Sequence, residues 1–223
     1  IIKSGEDHIK NLNSMNIGDI KIGAPSHIAV FYLSSFISEF RKLYPGIKFE
    51  IISKSTSDLV EMMEMRKIDL VIDTLPINTT NKVAKKIELS RLVNCFAYNK
   101  KSMPDCKIKD VKDLKNYPLI LPSATSSIRL QLDEYMDSNK VTLNPVIESW
   151  TTELMVELVR RGVGIGYFIK SVIDIQNDKD NFEVITFDDT LPAVDVCAVY
   201  LEEFETVALS KFVNFLNEHK EGV

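Results

Sequence analysis

Four short hydroxyl-rich stretches are the parts of this sequence whose residue types suit chemistry. Each stands after a predicted strand and before a predicted helix, and they are Ser26-His27, Ser55-Thr56, Ser126-Ser127 and Thr151-Thr152. The first backbone N–H groups of a helix have no partner inside the helix, and a nearby hydroxyl can cap them. The same groups can instead bind a small polar or anionic ligand. For one loop alone both interpretations stay open, whereas four such loops meeting at one cleft favour a binding site.

Catalytic and metal-binding patterns do not accompany these hydroxyls. The histidines are scattered, at His8, His27 and His219, and none has a carboxylate or a cysteine at the spacing of metal ligands. Only His27 falls in a loop that suits a pocket, where we expect it to hydrogen-bond a ligand or to face solvent rather than act as a base. We therefore predict no catalytic residues, no metal ligands and no cofactor.

A glycine-rich run, Gly162-Val-Gly164-Ile-Gly166, resembles half of a dinucleotide-binding fingerprint. That fingerprint works between a strand and the N-terminus of a helix, where the glycines let a pyrophosphate approach the backbone. Here the glycines lie within or before a predicted strand, so their context argues against nucleotide binding.

Composition and charge exclude several further classes of protein. Of the 223 residues, 45% are apolar and 26% are charged, as in ordinary soluble globular proteins. The net charge of −5 argues against a general affinity for nucleic acid or anionic membranes, and no apolar run approaches the ~20 residues of a membrane span. The three cysteines lack CxxC spacing, which favours neither a disulfide framework nor zinc and predicts a cytoplasmic location.

The stretch from Gly18 to Ile52 predicts the elements that position the first hydroxyl loop. Residues 19–22 alternate polar and apolar, as in a strand with one buried face. From Ile28 to Leu43 apolar residues recur every three or four positions, which predicts a helix with one buried face. Pro45-Gly46 ends that helix, and residues 47–52 form a second strand that completes a βαβ unit.

The order of strand, hydroxyl loop and helix recurs around Ser126, in the second half of the chain. Further strands are predicted at 69–73, 89–98, 119–121, 146–148, 161–168, 182–187 and 194–200, and a closing helix at 206–219. Alternating strands and helices favour mainly parallel sheets with short connections. We predict an α/β protein with two domains that face each other across a cleft.

Several stretches resemble the effector-binding domain of LysR-type transcriptional regulators. Phe40-Arg-Lys-Leu-Tyr-Pro45 is similar to the family's F-x-x-x-Y-P segment, and Ser126-Ser-Ile-Arg129 to its S-x-x-R helix start. Ser55-Thr-Ser-Asp-Leu59 with Lys67-Ile-Asp69-Leu-Val-Ile72 resembles its S-x-x-L and L-D-L-A-I pair, and Leu158-Val-Arg-Arg-Gly162-Val-Gly-Ile its L-V-A-x-G-x-G-I motif. Their order and spacing, from Gly18 to about Leu216, make the resemblance specific.

The resemblance implies a fold like that of type 2 periplasmic binding proteins. This is an α/β fold in which two Rossmann-like subdomains are joined by two crossover strands, with the ligand cleft between them. Subdomain I would comprise residues 17–91 and 195–223, and subdomain II residues 92–194. Residues 1–16 would be coil or the end of a linker helix, and an initial Ile rather than Met suggests a fragment of a longer protein.

The resemblance also implies ligand contacts at the loops that follow the strands. The residues are Pro25, Ser26, His27, Thr56, Ser126, Ser127, Arg129, Thr151, Thr152, Tyr167 and Phe168. Arg129 would be either a bidentate clamp on an anion or an exposed charge. Hydroxyls, helix N-termini and Arg129 favour a carboxylate or phosphate ligand, whereas Tyr167 and Phe168 would equally accept a flat apolar molecule.

Two positions depart from the family pattern. Arg66 stands where the family usually has Gly, so we expect a different cap at that helix end. Ile169 stands where Pro usually follows the glycine strand. Either departure is expected to reshape the pocket wall.

The implied function is that of a sensory domain, in which a small-molecule effector in the cleft changes the geometry of an oligomer. By resemblance we expect a homodimer, or a tetramer in the full-length protein, with the helix Ile28–Leu43 at the dimer face. DNA would be bound only through an N-terminal helix-turn-helix that this sequence lacks, and no membrane is involved. Two alternatives use the same fold: a solute-binding protein of a transporter, and an enzyme with His27 as its sole candidate base.

Overall fold

The computed structural model describes residues 17–187 and 190–220 of the chain. Their Cα atoms form two compact units. Of the described residues, the first unit contains 17–90 and 196–220, and the second contains those between Arg91 and Asp195. The predicted linker segment, residues 1–16, lies outside the described residues.

The elements alternate between strand and helix through most of the chain. In order they are β1 (Gly18–Gly23), α1 (Ser26–Ile28), a π-helical segment (Ala29–Leu33), α2 (Ser34–Leu43), β2 (Ile47–Ile52), α3 (Thr56–Glu64), β3 (Leu70–Thr74), β4 (Ala84–Asn99), a 3-10 helix (Val111–Asn116), β5 (Leu119–Pro122), α4 (Ser127–Ser138), β6 (Pro145–Ser149), α5 (Thr152–Arg160), β7 (Ile165–Ile169), α6 (Lys170–Asp174), a 3-10 helix (Lys179–Asn181), β8 (Phe182–Val184), β9 (Ala193–Leu201), a 3-10 helix (Glu202–Phe204) and α7 (Val207–Glu218).

Parallel strands joined by helices form the centre of each unit. In the first unit β1 pairs in parallel with β2 and with β3, and β3 pairs antiparallel with β9. In the second unit β5 pairs in parallel with β6 and with β7, while β4 pairs antiparallel with β7 and with β8. The strands β4 and β9 cross between the units, each contributing residues to both. The predicted α/β class with two crossover strands is confirmed.

An aromatic cluster holds α2 against β2 and α7 in the first unit. The ring of Phe40 is fully buried and lies 4.7 to 5.8 Å, between centroids, from four other rings. These rings belong to Tyr44, Phe49, Phe212 and Phe215. The three- and four-residue spacing therefore marks the face that packs inward as far as Phe40, as predicted. Leu43, which the same spacing places on that face, is instead 58% exposed at the end of the helix.

A second apolar cluster lies under α3. Leu59 and Met63 of that helix are buried together with Val71 of β3 and Val199 of β9. The methionine thus serves as core, because its flexible side chain fills the space between a helix and a sheet.

The end of α3 differs from the sequence-based expectation. Arg66 itself adopts the left-handed conformation, with φ of 60°, that glycine usually supplies after a helix. Its N–H donates to the carbonyl of Met63, and the N–H of Lys67 donates to that of Met62. The expected change of cap is therefore wrong. The guanidinium carbon lies 3.4 Å from the centroid of the Phe204 ring, and this cation–π contact offsets the cost of the backbone conformation.

The second unit buries its sheet in a similar way. The rings of Phe96 on β4 and Tyr167 on β7 lie 4.8 Å apart, and Leu132 of α4 and Val159 of α5 are fully buried. The glycine-rich strand is shorter than predicted. It begins only at Ile165, because Gly162 has a φ of 75° and belongs to the turn after α5.

Within the described ranges, no helix has both the length and the apolar character that a membrane crossing requires.

The Phe40 cluster provides a test of this packing. We expect Phe40→Ala to lower the free energy of unfolding by about 3 to 5 kcal/mol, because a buried ring is lost and a cavity is left behind. Leu43→Ala is the matched control three residues later, since Leu43 is 58% exposed. Urea unfolding followed by circular dichroism measures both variants. Equal effects would contradict the packing described for α2.

Candidate functional site

The polar side chains of the first unit gather where its parallel strands end. His27 follows β1, Thr56 follows β2, and Asp73 lies one residue before the end of β3. β1 pairs in parallel with both other strands, and the carboxyl ends of parallel strands lie at one edge of a sheet. Such an edge, next to the N-termini of the following helices, is where open α/β sheets bind ligands.

Pro25, Ser26 and His27 begin the helical stretch after β1. Pro25 is the N-cap residue of α1, and no side chain caps this end. The imidazole nitrogen Nε2 of His27 is buried and has no hydrogen-bond partner among the described residues. Burial lowers the pKa of His27 to about 4, because the charged form would lose its hydration. At neutral pH His27 is therefore uncharged and contributes no positive charge to the site.

Thr56 and Asp73 form a hydrogen-bonded pair at this edge. The hydroxyl of Thr56 donates to Oδ2 of Asp73 over 2.5 Å, and the N–H of Thr74 donates to Oδ1 over 2.6 Å. Asp73 and Thr74 are both fully buried. Burial raises the pKa of Asp73 to about 6, although the hydrogen bonds from the two threonines oppose that shift. Asp73 therefore carries a charge at neutral pH inside the unit.

Ser126, at the start of α4, does not cap its helix. Ser126 is the N-cap residue, but its hydroxyl donates to the carbonyl of Ser123 over 2.8 Å. Ser127 is the first residue of α4 and is 6% exposed.

Thr151, at the start of α5, makes no side-chain capping bond either, and Thr152 is the first residue of that helix. Among the four hydroxyl loops, the structure shows a capping side chain only at Ser55, whose hydroxyl accepts from the N–H of Asp58. Simple capping therefore does not explain Ser126 or Thr151.

Arg129 is neither an open clamp nor an exposed charge. Its side chain is 8% exposed, and its Nε lies 2.8 Å from Oδ1 of Asp133. Its Nη1 donates to Oε1 of Glu148 over 2.6 Å and to the carbonyl of Pro122 over 3.0 Å. Neither an anion clamp nor an exposed charge, the two alternatives from the sequence, accounts for these ion pairs, which connect α4 to β6. A ligand contact by Arg129 stays a prediction.

Tyr167 and Phe168 are neighbours on β7, so their side chains point to opposite faces of the sheet. Both are almost fully buried, at 1% and 2% exposed. Burial raises the pKa of the Tyr167 hydroxyl, which keeps it protonated. The structure thus places both rings in the core of the second unit, and their contact with a ligand stays a prediction.

Asp73 is the site residue that the sequence-based prediction overlooked. Its place at the end of the predicted strand 69–73 suggests a charge that bounds the strand, whereas Asp73 is buried there. The available signal was a carboxylate placed directly after three apolar residues and before a threonine. A solvated strand boundary produces the same pattern, so the sequence could not separate the two.

Other kinds of site find little support. No group of three or more residues able to hold a metal ion occurs in the part of the chain that the structure describes. A shallow cavity of about 500 Å³ lies on the first unit and contains none of the predicted contacts. It is lined by Lys86, Ile87, Glu88, Tyr200, Val213, Asn214, Asn217 and Lys220.

Solved structures identify the class of fold. The effector binding domain of QuiR in complex with shikimate superposes with a TM-score of 0.75 at 17% identity, over 92% of this chain and 98% of that one. The regulatory domain of Synechocystis PCC6803 CcmR in complex with 2-PG gives a TM-score of 0.79 at 13% identity, over 92% and 99%. At these identities the likeness shows the fold alone. It is the periplasmic-binding-protein-like fold of effector-binding domains.

The sequence identifies the family. A family model described as the LysR substrate binding domain matches residues 14–221, nearly the whole chain. The chain therefore belongs to the family of LysR substrate-binding domains, and the resemblance noted from its motifs is confirmed.

Curated relatives include regulators that are longer than this chain. Regulatory protein NocR of Agrobacterium tumefaciens is 24% identical over 155 residues, which cover 70% of this chain and 51% of that protein. The transcriptional regulator SoxR of an Arthrobacter species is 24% identical over 222 residues, covering 99% and 72%. The chain thus spans about half the length of the first of these relatives.

The ion pairs of Arg129 lead to a prediction about stability. We expect Arg129→Met to lower the free energy of unfolding by about 2 kcal/mol, because two carboxylates and a carbonyl lose a buried partner. That figure is below the usual range for buried pairs, since Asp133 and Glu148 are 40% and 42% exposed. The control is Arg161→Met, because Arg161 is 71% exposed and pairs with Glu157. We expect a loss of less than about 0.5 kcal/mol there. Equal losses in urea unfolding would contradict the anchoring role.

The buried carboxyl of Asp73 leads to a prediction about pH. Its pKa is raised in the folded state, so the folded state binds the proton more tightly than the unfolded chain, whose Asp has a pKa of about 4. Wild-type stability should therefore fall as pH rises from about 4 to about 6. Asp73→Asn removes this titration, so its stability relative to wild type should rise by about 2 to 3 kcal/mol across the same window.

Urea unfolding at several pH values between 4 and 8 measures this difference. Ser57→Ala is the control, because Ser57 is exposed and its hydroxyl contacts Ser55 instead of Asp73. That variant should follow the wild-type pH profile. Parallel profiles for wild type and Asp73→Asn would show that Asp73 does not carry the shift.

Proposed function

We propose that this chain is the effector-sensing domain of a LysR-type transcriptional regulator, and that its polar strand ends contact a small polar molecule. The observation that carries the proposal is the pair of helices α4 and α5, whose N-cap residues Ser126 and Thr151 make no capping bond. The N-terminus of a helix carries partial positive charge and unpaired N–H groups, which suit a polar ligand.

The proposed contacts are the predicted loop residues and the two aromatic residues of β7. They are Pro25, Ser26, His27, Thr56, Ser126, Ser127, Arg129, Thr151, Thr152, Tyr167 and Phe168. Two structural relatives were solved with shikimate and with 2-PG, which supports small polar effectors as the class of ligand. For this chain the identity of the effector stays open.

Regulation would follow from linked equilibria. An effector shifts a protein between two states only by the difference between its affinities for them, and it need not act at the site whose function changes. We infer that effector binding selects a state of this domain that alters assembly of a homodimer or a tetramer. DNA would then be bound by a helix-turn-helix elsewhere in the longer, cytoplasmic protein.

Catalysis is a weaker alternative. A reaction at Ser26 or Ser126 would require a base, and His27 was the sole candidate. With its pKa lowered to about 4, His27 is a poor proton acceptor at neutral pH. The transporter alternative is not favoured either, because the matching family model and the curated relatives are those of regulators.

A thermal-shift screen tests the proposal. We expect at least one compound from a panel of hydroxy acids, amino acids, dicarboxylates, sugar phosphates and polyamines to raise the melting temperature, since a ligand that binds only the folded state stabilises it. Ser126→Ala and Thr151→Ala should each lower the affinity for that compound by about tenfold, the effect of one lost hydrogen bond.

Ser138→Ala is the matched control, because Ser138 lies at the other end of α4 and bonds the carbonyl of Glu134. It should bind the compound as wild type does. If no compound stabilises the wild type, the sensing role is contradicted. If the compound binds wild type and all three variants equally, the proposed contacts are wrong.

A further inference from the structure

Asp73 determines whether the Thr56 hydroxyl can donate or accept a further hydrogen bond. Asp73 lies on the same face of β3 as Val71, the face that packs against α3. Thr56 is the first residue of α3, and its hydroxyl hydrogen points at Oδ2 of Asp73. Oδ1 of the same carboxylate accepts the N–H of Thr74. Both carboxylate oxygens are thus engaged inside the unit.

An ionised carboxylate can only accept hydrogen bonds, so Thr56 must be the donor in this pair. A hydroxyl has a single hydrogen and two lone pairs. Once that hydrogen is committed to Asp73, the outward side of Oγ1 presents lone pairs alone. A carboxylate or phosphate oxygen placed there would meet a second acceptor, whereas a hydroxyl or an ammonium would find a partner.

The charges of the first unit also favour a hydrogen-bond donor, and not an anion, next to Thr56. Its four proposed contacts are Pro25, Ser26, His27 and Thr56, and His27 is neutral at neutral pH. None of the four therefore carries a positive charge that would compensate an anion. Asp73, which accepts the hydrogen bond from Thr56, is negative and fully buried.

We propose that Thr56 accepts a hydrogen bond from the effector, which presents a hydroxyl or an ammonium group at this position and not a carboxylate or a phosphate. Asp73 is then a positioning residue that sets the specificity of the site through Thr56. This inference rests on the proposed sensing function and narrows the anionic ligand class expected from sequence. An anionic group of the effector would have to lie elsewhere.

The variant Asp73→Asn should reverse the polarity of Thr56. The N–H of Thr74 needs an acceptor, so it would hold the oxygen of the new amide where Oδ1 now lies. The NH₂ group would then face Thr56 and donate to it. The Thr56 hydroxyl hydrogen would be released to point outward, where it favours a carboxylate and disfavours a donor.

Matched ligands test this reversal. The probes are the compounds that stabilise the wild type in the panel above, and the set 4-hydroxybutanoate, 4-aminobutanoate and succinate, which differ in one terminal group. Isothermal titration calorimetry gives the affinity for wild type, Asp73→Asn and Asp69→Asn. Asp69 is the control, because it precedes β3 and accepts the N–H of Lys21. Asp69→Asn removes an equal charge at the other end of the strand.

For wild type we expect donor-bearing compounds to bind about tenfold more tightly than their carboxylate analogues, and we expect Asp73→Asn to invert that order. The control Asp69→Asn should keep the wild-type order. Hydroxyl and ammonium probes separate the two kinds of donor, since the negative charge of Asp73 favours ammonium over hydroxyl. An unchanged order in Asp73→Asn would overturn the inference.

Thr56→Val and Thr56→Ser provide a second route that leaves Asp73 in place. Thr56→Val removes the hydroxyl and should lower the affinity for donor-bearing compounds about tenfold. Thr56→Ser keeps the hydroxyl and should bind these compounds with the affinity of the wild type. A carboxylate-only compound that binds the wild type and is weakened by Thr56→Val would overturn the inference while leaving the sensing function intact. Absence of binding by every compound would instead count against the sensing function itself.

Discussion

Burial of the strands β3 and β7 on both faces determines where polar groups can lie in each unit. All five residues of β3 and all five of β7 are buried, so neither strand has a side facing water. A polar group inside such a sheet loses its hydration and needs a hydrogen-bonding partner. Polar side chains therefore lie at the strand ends, next to the helices that follow. The candidate site is a consequence of that constraint.

Asp73 shows how the constraint is met when a charge does enter the sheet. Its carboxylate lies one residue before the end of β3, where Thr56 and Thr74 donate to it. These bonds lower its pKa and burial raises it, with burial the larger effect. The same bonds orient the Thr56 hydroxyl. Stability and the polarity of the site are thus coupled through one buried group.

The arginines illustrate a different use of buried surface. Arg129 places its charge between Asp133 and Glu148, joining α4 to β6. Arg66 lays its guanidinium on Phe204 and holds a left-handed backbone that glycine would adopt without strain. The sequence suggests an anion clamp or an exposed charge at Arg129 and a departure from the family's glycine at Arg66. In the structure both arginines stabilise the fold. A positive charge near a strand end is therefore weak evidence for an anion site.

Much of the architecture was predictable because it depends on local periodicity. Apolar spacing in the segment 28–43 predicts the helix, and turn-forming Pro45-Gly46 predicts its end. The order of strands and helices determined the α/β class, and the motifs determined the family. The predicted strand 161–168 begins earlier than β7 does, because Gly162 belongs to a turn whose left-handed φ the sequence does not reveal. The segment 170–174 forms α6, for which no helix was predicted.

The sequence by itself determined the fold class, the family and the loops that carry hydroxyl groups. Only the tertiary structure decided which of those groups are engaged. The Ser126 hydroxyl donates to a carbonyl of the preceding turn, and Arg129 forms ion pairs with two carboxylates. The Thr56 hydroxyl donates its hydrogen bond to Asp73. The physical reason is that hydrogen bonding and desolvation depend on residues that are distant in the chain, as Thr56 and Asp73 are, with a sequence separation of 17. Residue type and spacing predict where a hydroxyl lies, but its partner determines what it can still bind.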